Sequence, residues 1–279
     1  MQPISVSLSL RDSNVLQKIK DPEWNPSATV IVDNTLPKDP NVPDPDVYDY
    51  IAQKEGKIIK LLQRIETRLA GMKVPLPPEL AKEYRRCVLG FADLIHEYPS
   101  YASARNNRAQ GLRRLYGNGL FLSDECCAGA MLSDADILGS KDEIDAKSHI
   151  ANVVFSDLDE AIVLLTPETL STPISPQSAK TLASAHTQRA AVYHMIAKSF
   201  ETRELVCIAG RKESNWTKTD FEEAASRDFA LGARYGNEIA KGLAVSTNPT
   251  AKLCGQMVAA AMKEEYGPYY SSKDRRFFL

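Results

Sequence analysis

His149-Ile-Ala-Asn-Val-Val-Phe-Ser-Asp-Leu-Asp-Glu-Ala-Ile-Val-Leu-Leu165 is the clearest helical signal in the chain. Ile150, Val153, Val154, Leu158, Ala161, Ile162 and Leu165 recur at i, i+3 and i+4, which puts them on one face of a 3.6-residue period. Pro167 stands just past the end and stops the helix, since proline offers no donor to continue it. A helix with one apolar face needs neighbours to cover that face, and the flanking sequence supplies them.

Tyr48 to Leu69 carries Ile51, Ile58, Ile59, Leu61, Leu62 and Ile65 on a broad stripe. Pro75, Pro77 and Pro78 break it, and Glu79 to Tyr98 resumes with Leu80, Tyr84, Val88, Phe91 and Leu94. Tyr101 to Tyr116, Ser178 to Phe200 and Thr219 to Tyr235 read as further helices, and Pro249 to Tyr266 closes the set with proline suited to a first-turn position. Asp12 to Lys20 carries a short helical pattern behind a capping Asp. The stretch from Asp33 to Pro45, with Pro37, Pro40, Pro43 and Pro45, reads as an extended surface linker, because it has too little apolar area to fold alone. Leu205 to Ala209 is a short apolar run with no strand partner in view. The reading is all-α, a bundle or a solenoid of antiparallel helix pairs.

Three segments share a sparse pattern that favours a solenoid. Each has a small residue where two helices cross, a bulky residue from the second helix, and a stop. The second pair uses Ala109, then Val154, Leu158 and Ala161; the third uses Ala190 and Tyr193, then Phe221 and Ala224. The first uses Cys87 at the small position, with Phe91, Leu94 and Pro99. Small side chains let helix axes approach, and pairs that each expose an apolar face gain stability by stacking.

Composition narrows the function. The 34 Lys and Arg nearly cancel the 36 Asp and Glu, leaving a formal charge of -2, so no positive surplus favours nucleic acid. Lys273, Arg275 and Arg276 read as a solvated tail. No run of eighteen apolar residues marks a membrane span, and Met1 to Leu10 does not read as a secretion signal. Cys87, Cys126, Cys127, Cys207 and Cys254 are odd in number and have no two-residue gap of the metal or redox kind, so they read as reduced thiols of a cytoplasmic or nuclear protein. His96, His149, His186 and His194 form no zinc-protease pattern, and no glycine-rich phosphate loop follows a strand. The sequence therefore gives no catalytic residues, no metal site and no cofactor, and is read as a non-enzyme.

A resemblance adds to this. Pro99-Ser-Tyr-Ala-Ser-Ala-Arg-Asn-Asn-Arg-Ala-Gln110 looks like the start of a tetratricopeptide repeat, and more narrowly resembles the family called tetratricopeptide repeat protein 36. Asp157-Leu-Asp-Glu-Ala-Ile162, Asp220-Phe-Glu-Glu-Ala-Ala225 and Asn248-Pro-Thr-Ala-Lys-Leu-Cys254 with Met257 extend the likeness in order, and Val15 to Pro22 resembles the family's N-terminal segment. The chain departs from the family by insertions at about Met72 to Ala81, Gly117 to Lys147 and Thr202 to Lys218. The resemblance implies a right-handed tetratricopeptide-repeat superhelix of about three helix pairs plus a C-terminal capping helix, over residues 48–266, between an arm and linker (1–47) and a tail (267–279). It also implies heat-shock 70 chaperone binding and an association with tyrosine metabolism.

In such an array the first helices of the pairs line a concave groove that holds a segment of a protein partner, a chaperone or a metabolic enzyme. The candidate groove residues are Lys57, Arg64, Arg105, Asn106, Asn107, Gln110, Arg113, Gln188 and Arg189, with Gln53 and Lys60 beside them. Asn107 is singled out, because an amide can serve both a donor and an acceptor of a bound backbone; its other role is a bridge to the neighbouring helix. Many such repeats hold a C-terminal carboxylate with Lys, Asn, Asn, Lys and Arg. Here only Asn107 matches, with Gln53, Lys57, Ser184 and Gln188 at the other aligned positions, which speaks against that clamp. Two rivals stand. One is a structural subunit whose groove is filled by its own N-terminal arm. The other is a cysteine-dependent enzyme using Asp124-Glu125-Cys126-Cys127, where adjacent acids would raise the thiol pKa and blunt the nucleophile.

Overall fold

Asp44 and Pro45 start the first helix by two separate devices. The Asp44 carboxylate accepts from the amides of Asp46 and Val47, and Pro45 occupies a position whose N–H would have no partner. Helix α1 then runs Pro45–Leu69. The computed structural model describes residues 30–70, 76–121, 143–169, 172–200 and 210–266. Within these, α2 spans Pro78–Glu97, α3 Ala102–Tyr116, α4 Glu143–Leu165 and α5 Pro176–Ser199. They are followed by α6 (Lys218–Arg234), α7 (Glu238–Thr247) and α8 (Pro249–Tyr266). The described residues are all-helical, with no strand beyond isolated bridges.

The caps follow from sequence. Ser175 accepts from the Ser178 amide ahead of Pro176, and Thr217 and Asp220 form a reciprocal box at α6. Asn248 accepts from the amides of Thr250 and Ala251 ahead of α8, which agrees with the first-turn reading of Pro249. Helix α7 departs from the sequence reading, which left 236–248 without a helix. Its markers are a Gly236 at φ 105°, which only glycine adopts without strain, and an Asn237 that caps the Ala240 amide. At ten residues, α7 turns Ala240, Leu243, Ala244 and Thr247 inward at i, i+3, i+4 and i+7 and leaves Ile239 and Val245 exposed. Helix α4 starts at Glu143, six residues before the His149 read from the pattern, so the end of the presumed insertion is helical.

Each helix packs on the one before and the one after it, and α3 also reaches α5. The crossings use the small residues expected: Ala109, Ala161 and Ala190 are fully buried beside Val154, Leu158 and Phe221. At Gly232, where α6 crosses α5, an added Cβ would meet Thr187 Oγ1 at 2.5 Å. A run of aromatics ties the middle of the core together: Phe121 to Phe155 (5.6 Å), Phe155 to Tyr193 (5.8 Å), Tyr193 to Trp216 (5.4 Å) and Trp216 to Phe221 (5.2 Å). Phe121 and Trp216 come from segments read as insertions, so parts of those loops belong to the core. Turn Lys212–Asn215 likewise plants Glu213, fully buried, against the Tyr193 hydroxyl at 2.9 Å.

The Pro/Asp-rich stretch is extended, and it is also anchored. The Asp33 amide donates to the Ile174 carbonyl and the Ile174 amide to the Ile31 carbonyl, both at 2.9 Å. Ser175 Oγ donates to the Lys38 carbonyl at 2.8 Å, and Asn41 Nδ2 donates to the Leu164 carbonyl at 2.9 Å. Val42 is buried with Ile51, Phe91, Leu94 and Tyr101. The stretch thus crosses the N-terminal ends of α5 and α3 before entering α1. The pattern at Asp12 to Lys20, the run Leu205 to Ala209, Cys126, Cys127, Cys207 and the basic tail lie outside the described residues.

Candidate functional site

Polar side chains set the first helices of the pairs side by side. Glu55 of α1 is buried and accepts three hydrogen bonds from the α3 end: Tyr101 Oη at 2.6 Å, Ser103 Oγ at 2.7 Å and Asn107 Nδ2 at 2.8 Å. Farther along the same pair of helices, Arg114 meets Glu66 through two bonds of 2.9 Å. Between α3 and α5, Gln188 Nε2 donates to Asn106 Oδ1 at 2.9 Å, and Arg113 Nη1 donates to Gln188 Oε1 at 3.4 Å. A continuous face of α1, α3 and α5 results.

That face deepens into a groove of about 810 Å³ between α5, Arg113 of α3 and the turn from α6 to α7. Ala179, Ala183 and Ala191 keep the α5 wall low, and Ser184, Thr187 and Gln188 place hydroxyl and amide groups along it. The opposite wall is Tyr235 to Ile239. It is held in place by Asn237 Nδ2 donating to Thr187 Oγ1 at 3.0 Å and by the Tyr235 ring stacked 5.9 Å from His186. Val32 stands at the rim, brought there by its bridge to Ile174. A shallower depression, about 540 Å³, lies among Lys60, Gln63, Arg64, Thr67 and Arg68; all belong to α1 alone, so it is a gap between surface side chains.

Arg113 is the unusual group of the groove. Burial, with no carboxylate to offset it, pushes its guanidinium down to about 10. Its neighbours on the sequence list are differently placed. Arg105 donates to the Pro99 carbonyl at 2.9 Å and lies 3.5 Å from Asp157, and Arg189 is spent on Asp228 and Asp159 at 2.6 and 2.7 Å. Arg108 grips Asp157 through bonds of 2.6 and 2.7 Å. Burial pushes the Asp228 carboxyl up, but bonds from Arg189 and His186 outweigh it and hold it below the ordinary range. These pairs pin first helices to second helices behind the groove.

Of the nine candidate residues, Arg113 and Gln188 line the groove, with Asn106 buried directly behind Gln188. Asn107 makes the bridge to α1 through Glu55. Gln110, Lys57 and Arg64 are exposed, the last two on α1 away from the groove. Sequence reasoning missed Val32, Lys180, Thr187, Tyr235, Asn237 and Ile239. The pair Gly236-Asn237, a stop followed by a cap, was the available signal for the far wall; Val32 gave none. Chemically the groove offers backbone-matching amides and hydroxyls, small apolar contacts and one guanidinium. These are the means of holding an extended segment. No helix of the described residues is long and apolar enough to cross a membrane.

The comparisons bear on the whole chain. It is 33% identical over 270 residues, covering 95% of this chain and 96% of the relative, to the L-tyrosine degradation gene cluster protein hmgX of Aspergillus fumigatus. No family model matches the chain, and no solved structure matches it.

Proposed function

The chain belongs to the family of the L-tyrosine degradation gene cluster protein hmgX, and on that premise we propose that it serves L-tyrosine degradation as a cytoplasmic adaptor, binding a protein segment in its groove rather than catalysing a step. One observation carries the reading: α1, α3 and α5 are aligned by Glu55 and Gln188 into one face that opens, at α5, into a groove lined by hydroxyl, amide and guanidinium groups. The ion pairs with the geometry of tight chemistry are buried between helices and hold the stack together. Packing of each helix on its sequence neighbours, with α3 also on α5, supports the tetratricopeptide-repeat superhelix, and with it the likeness to tetratricopeptide repeat protein 36. The partner is an enzyme of tyrosine breakdown or a heat-shock 70 chaperone, and the poor match to the carboxylate clamp favours the enzyme.

Capture from lysate by the full chain and by Ser184→Trp, which fills the groove from a half-buried position on α5, tests the reading. A tyrosine-degradation enzyme retained by the first and lost by the folded second is the expected result. Retention of every partner by both would remove the groove from the account. A second reading, in which the N-terminal arm regulates the groove, is supported by Val32 at the rim. Deleting residues 1–29 then raises partner affinity; unchanged affinity rejects it.

A further inference from the structure

Arg113 is a half-buried charge without a counter-charge. Its single hydrogen bond among the described residues is the 3.4 Å contact to Gln188 Oε1, a neutral acceptor. A guanidinium has five N–H donors in a planar fork, and a buried charge so poorly paired weakens the fold unless something else pairs it. Four other half-buried arginines are matched to carboxylates: Arg105 and Arg108 to Asp157, Arg189 to Asp228 and Asp159, Arg211 to Asp159 and Glu213. Arg113, which lines the groove, has no such match.

We propose that the segment held in this groove carries an internal Asp or Glu whose carboxylate pairs with Arg113, assisted by the Ser184 hydroxyl. This rests on the groove being the binding site. A side chain fits better than a chain terminus for a positional reason. The lining continues a turn past Gln188 to Ala191 and back along α5 to Pro176, so Arg113 stands partway along the groove, where a segment running through presents side chains. One unpaired guanidinium among neutral hydroxyls and an amide also matches a single carboxylate. Lys180, exposed on the same wall, adds positive charge, and Glu238 on the far wall is exposed to solvent.

The probe is a set of peptides selected from a displayed random library on the full chain, then synthesised with free and with amidated C-termini. The selected peptides carry an internal Asp or Glu. Replacing it by the amide weakens binding about thirtyfold, Arg113→Gln weakens the acidic peptide equally, and the two changes together weaken it no further. Arg113→Gln also melts no lower than the parent chain, because it removes a half-buried charge that no carboxylate offsets. Peptides that are lost with Ser184→Trp yet respond less than about threefold to either change would overturn the inference and leave the groove standing. Binding abolished by amidation alone would overturn it in favour of a terminal carboxylate. Peptides indifferent to Ser184→Trp would count against the groove itself.

Discussion

Glu55→Gln tests how α1 is fastened to α3. Glu55 is 6% exposed and gathers Tyr101, Ser103 and Asn107 within 2.6 to 2.8 Å, so one carboxylate fastens α1 to α3. Glutamine keeps the shape and removes the charge. Its oxygen stays between Ser103 and Asn107, where two donors meet, which leaves its amide facing the Tyr101 hydroxyl. That hydroxyl is 1% exposed and must turn from donor to acceptor. Charged hydrogen bonds contribute about 1.5–3 kcal/mol each and neutral ones about 1, so weakening three of them costs about 2 kcal/mol in all. The melting temperature then falls by about 4–8 °C. Urea unfolding followed by circular dichroism gives the free energy, and Tyr101→Phe closes a double-mutant cycle. Tyr101→Phe is costly in the parent chain and about 1 kcal/mol cheaper in the Glu55→Gln background. A Glu55→Gln chain within about 0.5 kcal/mol of the parent, or a cycle with no coupling, would refute the reasoning.

Further outcomes follow from the same geometry. Asn107→Ala removes one bond to the Glu55 carboxylate and lowers stability by about 1.5–3 kcal/mol in denaturant titration, while peptide affinity at the groove stays unchanged. Gly232→Val drives a side chain into Thr187 Oγ1, which an added Cβ already meets at 2.5 Å, and destabilises by more than about 2 kcal/mol. Gly242→Ala, with open space around it, stabilises by about 0.5–1 kcal/mol, and thermal melts of the two should diverge. Asp228 is held below its ordinary 3.8 in the folded chain, so its stabilisation is full above that value and is lost as pH falls through the lower folded value. Asp228→Asn therefore costs about 3–5 kcal/mol near neutrality. Its gap to the parent chain narrows below pH 3.8 in acid-unfolding curves.

Local features of this fold were open to reading in one dimension. The period through His149 to Leu165, the first-turn proline at 249 and the small residues at 109, 161 and 190 each act within a helix or at one crossing, and the structure follows them, whereas Pro45, read as the end of a linker, starts α1. Features made by distant partners were closed to it. Asn107 could be read as a groove amide or as a bridge to the neighbouring helix, and only Glu55, brought beside it from 52 positions earlier, decides for the bridge. Arg105 and Arg189 look like groove cations until Asp157 and Asp228 take them inward. Helix α7 escaped because it is short and its inward face is mostly small (Ala240, Ala244 and Thr247 around Leu243), while its larger Ile239 and Val245 are exposed. Arg113 could be nominated from its helix face, but its isolation from any carboxylate is a fact about space.

Site-specific crosslinking measures the central claim most directly. A photoreactive amino acid at Lys180, exposed in the groove, is compared with the same group at Val163, which is 70% exposed on α4 and outside the groove lining. One protein of tyrosine breakdown, an enzyme or its chaperone, is expected to be crosslinked from position 180 and not from 163, through a contiguous segment that contains an acidic residue. Equal crosslinking from both positions, or none from 180 in cells degrading tyrosine, would contradict that claim.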